Sequence, residues 1–137
     1  MDAIEPRIRP LVDALNATGL VVTFSSCEGH FGADEQKMAD RNLAYVRFLP
    51  AAGVSAGAVE DALGQWLMSY KKKHGLMPVR VIGYKLFTPL DDEVDSTYVI
   101  ELHPFNRFDA PDRKRRDIDW AVERLVAVLS YRGLQAV

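Results

Sequence analysis

Cysteine is nearly absent from this sequence: Cys27 stands alone among 137 residues. An intrachain disulfide is therefore excluded, and without a disulfide framework a reducing, cytoplasmic setting is the expectation. Long apolar runs are missing as well. None approaches the roughly 20 residues needed to cross a bilayer, and the segment Met1–Pro10 is charged at both signs with no apolar signal core. No membrane role is expected. Positive charge is not in excess either. Seventeen basic residues stand against 19 acidic ones, for a formal charge of −2, whereas a protein that wraps nucleic acid non-specifically carries a clear positive surplus. A small-molecule or nucleoside-like partner is favoured over a nucleic acid. There is no glycine-rich dinucleotide fingerprint, P-loop, G-x-S-x-G elbow or H-E-x-x-H helix, and no internal repeat or linker.

What is present suits one folded domain over residues 1–137. Hydrophobic residues make up 48% and charged residues 26%, an ordinary globular balance. Ile4, Ile8, Leu11, Val12 and Leu15 recur at helical spacing and predict a helix over 6–18, with Pro10 in its first regular turn and Gly19 beyond its end. Leu20–Phe24 reads as a short buried strand, Ser25–Gly32 as a loop, and 33–42 as a helical turn or loop. Asn42–Leu49 alternates as a second strand. The clearest helix is 56–73: Ser55 is placed to cap it, Val59, Ala62, Leu63, Trp66, Leu67 and Tyr70 form one apolar stripe, and Lys71–Lys73 occupy the last turn before Gly75. Val79–Phe87 and Thr97–His103 are the third and fourth strands, separated by an acidic turn over 89–96. Pro111 opens a final helix, with Gly133 placed to end it. The order α-β-β-α-β-β-α predicts an α+β two-layer sandwich, a four-stranded mostly antiparallel sheet with two or three helices on one face. The helix between the second and third strands is long enough for a crossover, which would make one strand pair parallel.

The solitary thiol sits in the most informative stretch, Ser25-Ser26-Cys27-Glu28-Gly29-His30, directly after a buried strand. Three readings stand side by side. Cys27 and His30 fit one turn, in which an imidazole would activate the thiolate and Glu28 would orient the imidazole or act as base. Cys-x-x-His also has a spacing compatible with zinc, with His103 as third ligand and Glu101 or Glu28 as fourth. The plain reading is a small packed thiol, capping serines, a positive φ at Gly29 and a backbone-bonded histidine.

Val22-Thr23-Phe24-Ser25-Ser26-Cys27-Glu28-Gly29-His30 resembles the Ser-Ser-Cys-x-Gly signature of the tRNA wybutosine-synthesizing protein 3 family. The resemblance covers nine of 137 residues. It implies a small α/β domain that uses S-adenosylmethionine to methylate a modified guanosine, with Ser25, Ser26, Cys27 and Gly29 lining the cofactor or substrate pocket. The family usually has arginine where this chain has His30, and histidine lacks the bidentate fork for phosphate or carboxylate.

Strand alternation adds further candidates. Tyr45 and Arg47 share one face of the second strand, and Glu101 and His103 one face of the fourth. With helices on the other face, these four would converge with Cys27 and His30 on a shallow cleft. Alternatively they form a solvated face, with Arg47 and Glu101 as a cross-strand pair, or the face of a homodimer. The run Arg113–Arg116 opposes the dipole at the start of its helix; it suits phosphate contact or, more simply, a solvated face with Asp109, Asp112 and Asp117 as partners. A non-enzymatic ligand- or metal-binding regulatory domain is the alternative to the methyl-transfer reading.

Overall fold

The computed structural model describes residues 4–32 and 43–131. Its elements run α1 (Arg9–Ala17), β1 (Val21–Cys27), β2 (Ala44–Pro50), α2 (Ala56–His74), β3 (Val79–Leu90), β4 (Glu93–Pro104) and α3 (Pro111–Ser130). This is the expected α-β-β-α-β-β-α order, and the strands form one antiparallel sheet ordered β1-β2-β4-β3. The polar segment 33–42 and Gly133 lie outside the described residues.

Local chemistry explains the helices. Ser55 caps α2 by accepting a hydrogen bond from the Ala58 amide at 3.1 Å. Lys71, Lys72, Lys73 and His74 occupy its last turn, where the helix dipole favours cations, and Gly75 closes it at φ +73°. Prolines sit in the first turns of α1 and α3, where the missing N–H has no intrahelical partner to lose.

The three helices of the described residues pack on one face of the sheet. Ala44, Val46 and Phe48 of β2 and Tyr98, Ile100 and Leu102 of β4 meet Leu11 and Leu15 of α1, Trp66 of α2, and Ile118 and Leu125 of α3, all fully or almost fully buried. At Gly83 the approach of α2 to β3 is so close that a Cβ would lie 3.0 Å from Leu67 and 3.2 Å from Leu63. Glu60 of α2 fastens the same seam, accepting hydrogen bonds from the Tyr98 hydroxyl at 2.7 Å and the Lys85 ammonium at 3.1 Å. The Tyr98 bond, with Lys85 behind it, holds the Glu60 carboxyl below its ordinary pKa. Among the described residues no helix is long and apolar enough to cross a membrane.

Three expectations are corrected. Among the described residues no strand pair is parallel: β2 and β3 run in the same direction, but β4 returns through a tight hairpin and inserts between them. The acidic turn shrinks to Asp91-Asp92, because Leu90 already pairs with Glu93; Asp91 takes φ +26°, a region that short polar side chains tolerate. Finally, Ser25, Ser26 and Cys27 belong to strand β1. Thr23 pairs with Phe48 and Ser25 with Arg47, leaving Phe24 as an extra, bulged residue. The bulge changes which residues oppose the core positions, so that Ser26 is registered with Val46 and Cys27 with Tyr45.

Trp66 is the largest side chain in this core and only 1% exposed. Trp66→Ala should destabilise the fold by about 3–5 kcal/mol through lost burial and the cavity left behind, measured as a lowered urea midpoint at unchanged slope.

Candidate functional site

The end of β1 and the turn after it are held by residues far away in the chain. Glu5, just before α1, accepts a hydrogen bond from the Glu28 amide at 2.8 Å through one carboxylate oxygen. Its other oxygen lies 3.0 Å from His30 Nε2. In return the Glu28 carboxylate accepts from the Arg7 amide at 2.9 Å. From the opposite side Arg115, in the first turns of α3, donates through Nη1 to the Gly29 carbonyl at 3.1 Å and through Nε to Asp119 at 3.0 Å. Its guanidinium lies 5.2 Å from the centre of the Phe31 ring, and Asp119 also pairs with Arg7. Gly29 has φ +93°, and the Phe31 ring occupies the space where a Cβ would stand, 2.5 Å away. Both constraints make glycine the residue that fits.

This bracing gathers three different donor types. One ligand atom each from Glu5, Cys27 and His30 lies within 4.8 Å of the other two. Cys27 is buried at 6% exposure, whereas the His30 and Glu5 side chains keep about a third of their surface. A pocket of about 260 Å³ adjoins the cluster, with His30, Gly29 and Phe31 on one wall and Pro111, Asp112 and Arg115 on the other. A second cavity, of about 280 Å³, is lined by Ile4, Val12 and residues Thr23 to Ser26.

The sequence-derived candidates distribute as follows. Cys27 and His30 come together, and Ser25 and Ser26 line the second cavity. Glu28 is not the partner of the imidazole: its carboxylate is turned to the Arg7 amide, and Glu5 takes that place. His103 is not gathered into the Cys27 cluster. It lies near the end of β4, two strands from β1, and its Nε2 is 2.9 Å from Glu101. Tyr45, Arg47, Glu101 and His103 do share one face of the sheet, the one that carries no helix among the described residues. The register sets Glu101 opposite Tyr45 and Arg47 opposite Val99, so Arg47 and Glu101 are not a cross-strand pair. Arg47 instead lies over the Tyr45 ring at 4.8 Å, its buried Nε without a hydrogen-bond partner among the described residues.

The run Arg113–Arg116 is more than a solvated face. Lys114 is buried and Arg115 reaches the Gly29 carbonyl, while Arg113 lies 3.9 Å from Asp109 and 4.0 Å from Asp117. Two functional candidates were missed by pattern reading. Glu5 carries no local signal beyond being an acid before a proline-led helix. Tyr84, of alternating β3, donates to Glu101 at 2.6 Å.

The Tyr84 bond has a measurable signature. The hydrogen bond to Glu101, then burial, pushes the Tyr84 phenol up to about 12, with Arg47 acting in the other direction. Because the neutral phenol is the favoured form, this contribution to stability is complete below pH 10, the value of a free phenol, and is lost as pH rises through about 12. Glu101→Gln should return the Tyr84 ionisation toward 10. Ultraviolet titration checks this, the Tyr84 transition being identified by its loss in Tyr84→Phe.

No protein-family model, curated protein or solved structure matches this chain.

Proposed function

We propose that this chain is a small-ligand-binding domain centred on a divalent metal of the zinc class held by Glu5, Cys27 and His30. The convergence of a carboxylate, a thiol and an imidazole within 4.8 Å carries this reading. Thiolate, imidazole and carboxylate are the donors zinc prefers, and three protein ligands leave one position of a tetrahedron for a small molecule. His30 lines the adjoining pocket as well as the cluster, so a ligand seated there would share that wall with the metal. Thiolate and carboxylate together balance a 2+ charge. The outer contacts suit the role: the Glu28 amide fixes the Glu5 carboxylate and Arg115 fixes the loop that bears His30, the kind of support that sets ligand orientation in metal sites.

The zinc content of protein loaded with one equivalent and then desalted tests this. Wild type should retain about one zinc per chain. Cys27→Ser and His30→Ala should each bind more weakly by roughly 100-fold, at or beyond the upper end of what loss of a supporting partner costs. Wild type that keeps no zinc, or a Cys27→Ser variant that holds it equally well, would overturn the assignment.

A second reading follows from the resemblance of the loop to the wybutosine-synthesizing family. Ser25 and Ser26, which carry that resemblance, line the cavity beside Ile4 and Val12. In this reading the cavity takes S-adenosylmethionine and the pocket lined by His30 a nucleoside-like methyl acceptor, with Cys27 and His30 at the reacting centre. Isothermal titration with S-adenosylmethionine should then give saturable heat that Ser26→Phe abolishes; no heat up to millimolar ligand would sink the idea.

A further inference from the structure

We propose that a second copy of this chain pairs antiparallel along the outer edge of β3, so that two four-stranded sheets become one of eight strands. β3 ends the sheet order, and among the described residues nothing pairs with its outer side. It is twelve residues long and largely exposed, and a long open edge is a template for another strand. Its exposed apolar residues are not scattered. Phe87 is 62% exposed and Leu90 47%, and Val94 next to them on β4 is 61% exposed. At the other end of the same edge Leu76 is 48% and Met77 62% exposed.

The shape of the edge selects a register. Side chains alternate along a strand, and residues opposite one another in an antiparallel pair share a face. Gly83 faces α2, so Val81, Lys85 and Phe87 lie on the helix-bearing face too. Beside Val81 is an apolar pocket of about 240 Å³, walled by Leu67 and Met68 of α2 and by Leu76. With a twofold axis at Tyr84, Phe87 of each copy falls opposite Val81 of the other, at the mouth of that pocket. The knob and the hole are then supplied reciprocally, as a twofold interface requires.

Charge agrees with this placement. In the same register Arg80 opposes Thr88 and Lys85 opposes Gly83, so no like charges meet along the strand. The acidic hairpin tip, Asp91-Asp92, lies beside Met77 and Leu76 of the second copy, next to the Lys71–Lys73 end of its α2. At the strand ends the same register sets Leu90 of one copy opposite Pro78 of the other, next to the exposed Met77.

Sedimentation equilibrium at roughly 100 µM, enough to populate a dimer of micromolar affinity, tests the proposal. Wild type should be dimeric. Phe87→Asp should weaken the dimer roughly 30-fold or more, as expected for a central anchor, with an unchanged circular dichroism spectrum because Phe87 is exposed in one copy. Asp91→Lys combined with Asp92→Lys should weaken it in a salt-dependent way. A monomeric wild type, or a Phe87→Asp variant that dimerises as strongly as wild type, overturns the proposal.

Discussion

The arrangement at the end of β1 depends on one carboxylate. Glu5 holds the Glu28 amide with one oxygen and faces His30 with the other. Those two contacts join the segment before α1 to the turn after β1, places more than 20 residues apart in sequence. Without them the Glu28 amide would need another acceptor and His30 would lose its contact with Glu5. A carboxylate that accepts a backbone N–H gains a charge-assisted bond and little freedom to move. It is therefore suited to presenting its second oxygen to an imidazole or to a metal.

The second determinant is geometric. Phe24 adds one residue to β1 without adding one to β2. Such a bulge interrupts the ladder, increases local twist and re-aims the side chains that follow. The residues re-aimed here are Ser25, Ser26 and Cys27. A polar, small-residue run after an apolar strand looks like a loop in sequence, because serine and glycine are typical turn residues; the strand itself is only partly buried, with Val22 and Phe24 more than half exposed. In the sheet it is ladder, paired residue by residue with Arg47, Val46 and Tyr45. The thiol is thus held by rigid backbone, and only the residues from Glu28 onward turn away.

Sequence pattern and fold agree wherever periodicity and capping speak together. The stripe of α2, its Ser55 cap and its Gly75 stop all appear as the residue types require, and so does the face shared by Tyr45, Arg47, Glu101 and His103. Disagreement arises where the decisive contact is long-range. The placing of β4 between β2 and β3 depends on a hairpin that buries Tyr98, Ile100 and Leu102 at the centre of the sheet, and local pattern contains no strand order. Cys27 and His30 were legible as a pair from their spacing. Glu5 was not, since nothing in an isolated acid before a proline shows which loop it will meet.

The basic run of α3 shows how a local contradiction can point to such a contact. Cations at the start of a helix face its positive end, an unfavourable placement of about 0.3–1 kcal/mol each in the first turn at low ionic strength and less at Arg115, just beyond it. Arg115 offsets this in three ways: the Gly29 carbonyl accepts from it, Asp119 pairs with it one turn on, and the Phe31 ring lies against its guanidinium. A hydrogen bond from a charged donor is worth more than the dipole term it opposes, about 1.5–3 kcal/mol. The balance therefore favours the arginine only because the loop is there to receive it. The site loop and the start of α3 stabilise each other, and the wall of the pocket beside His30 is the product of that exchange.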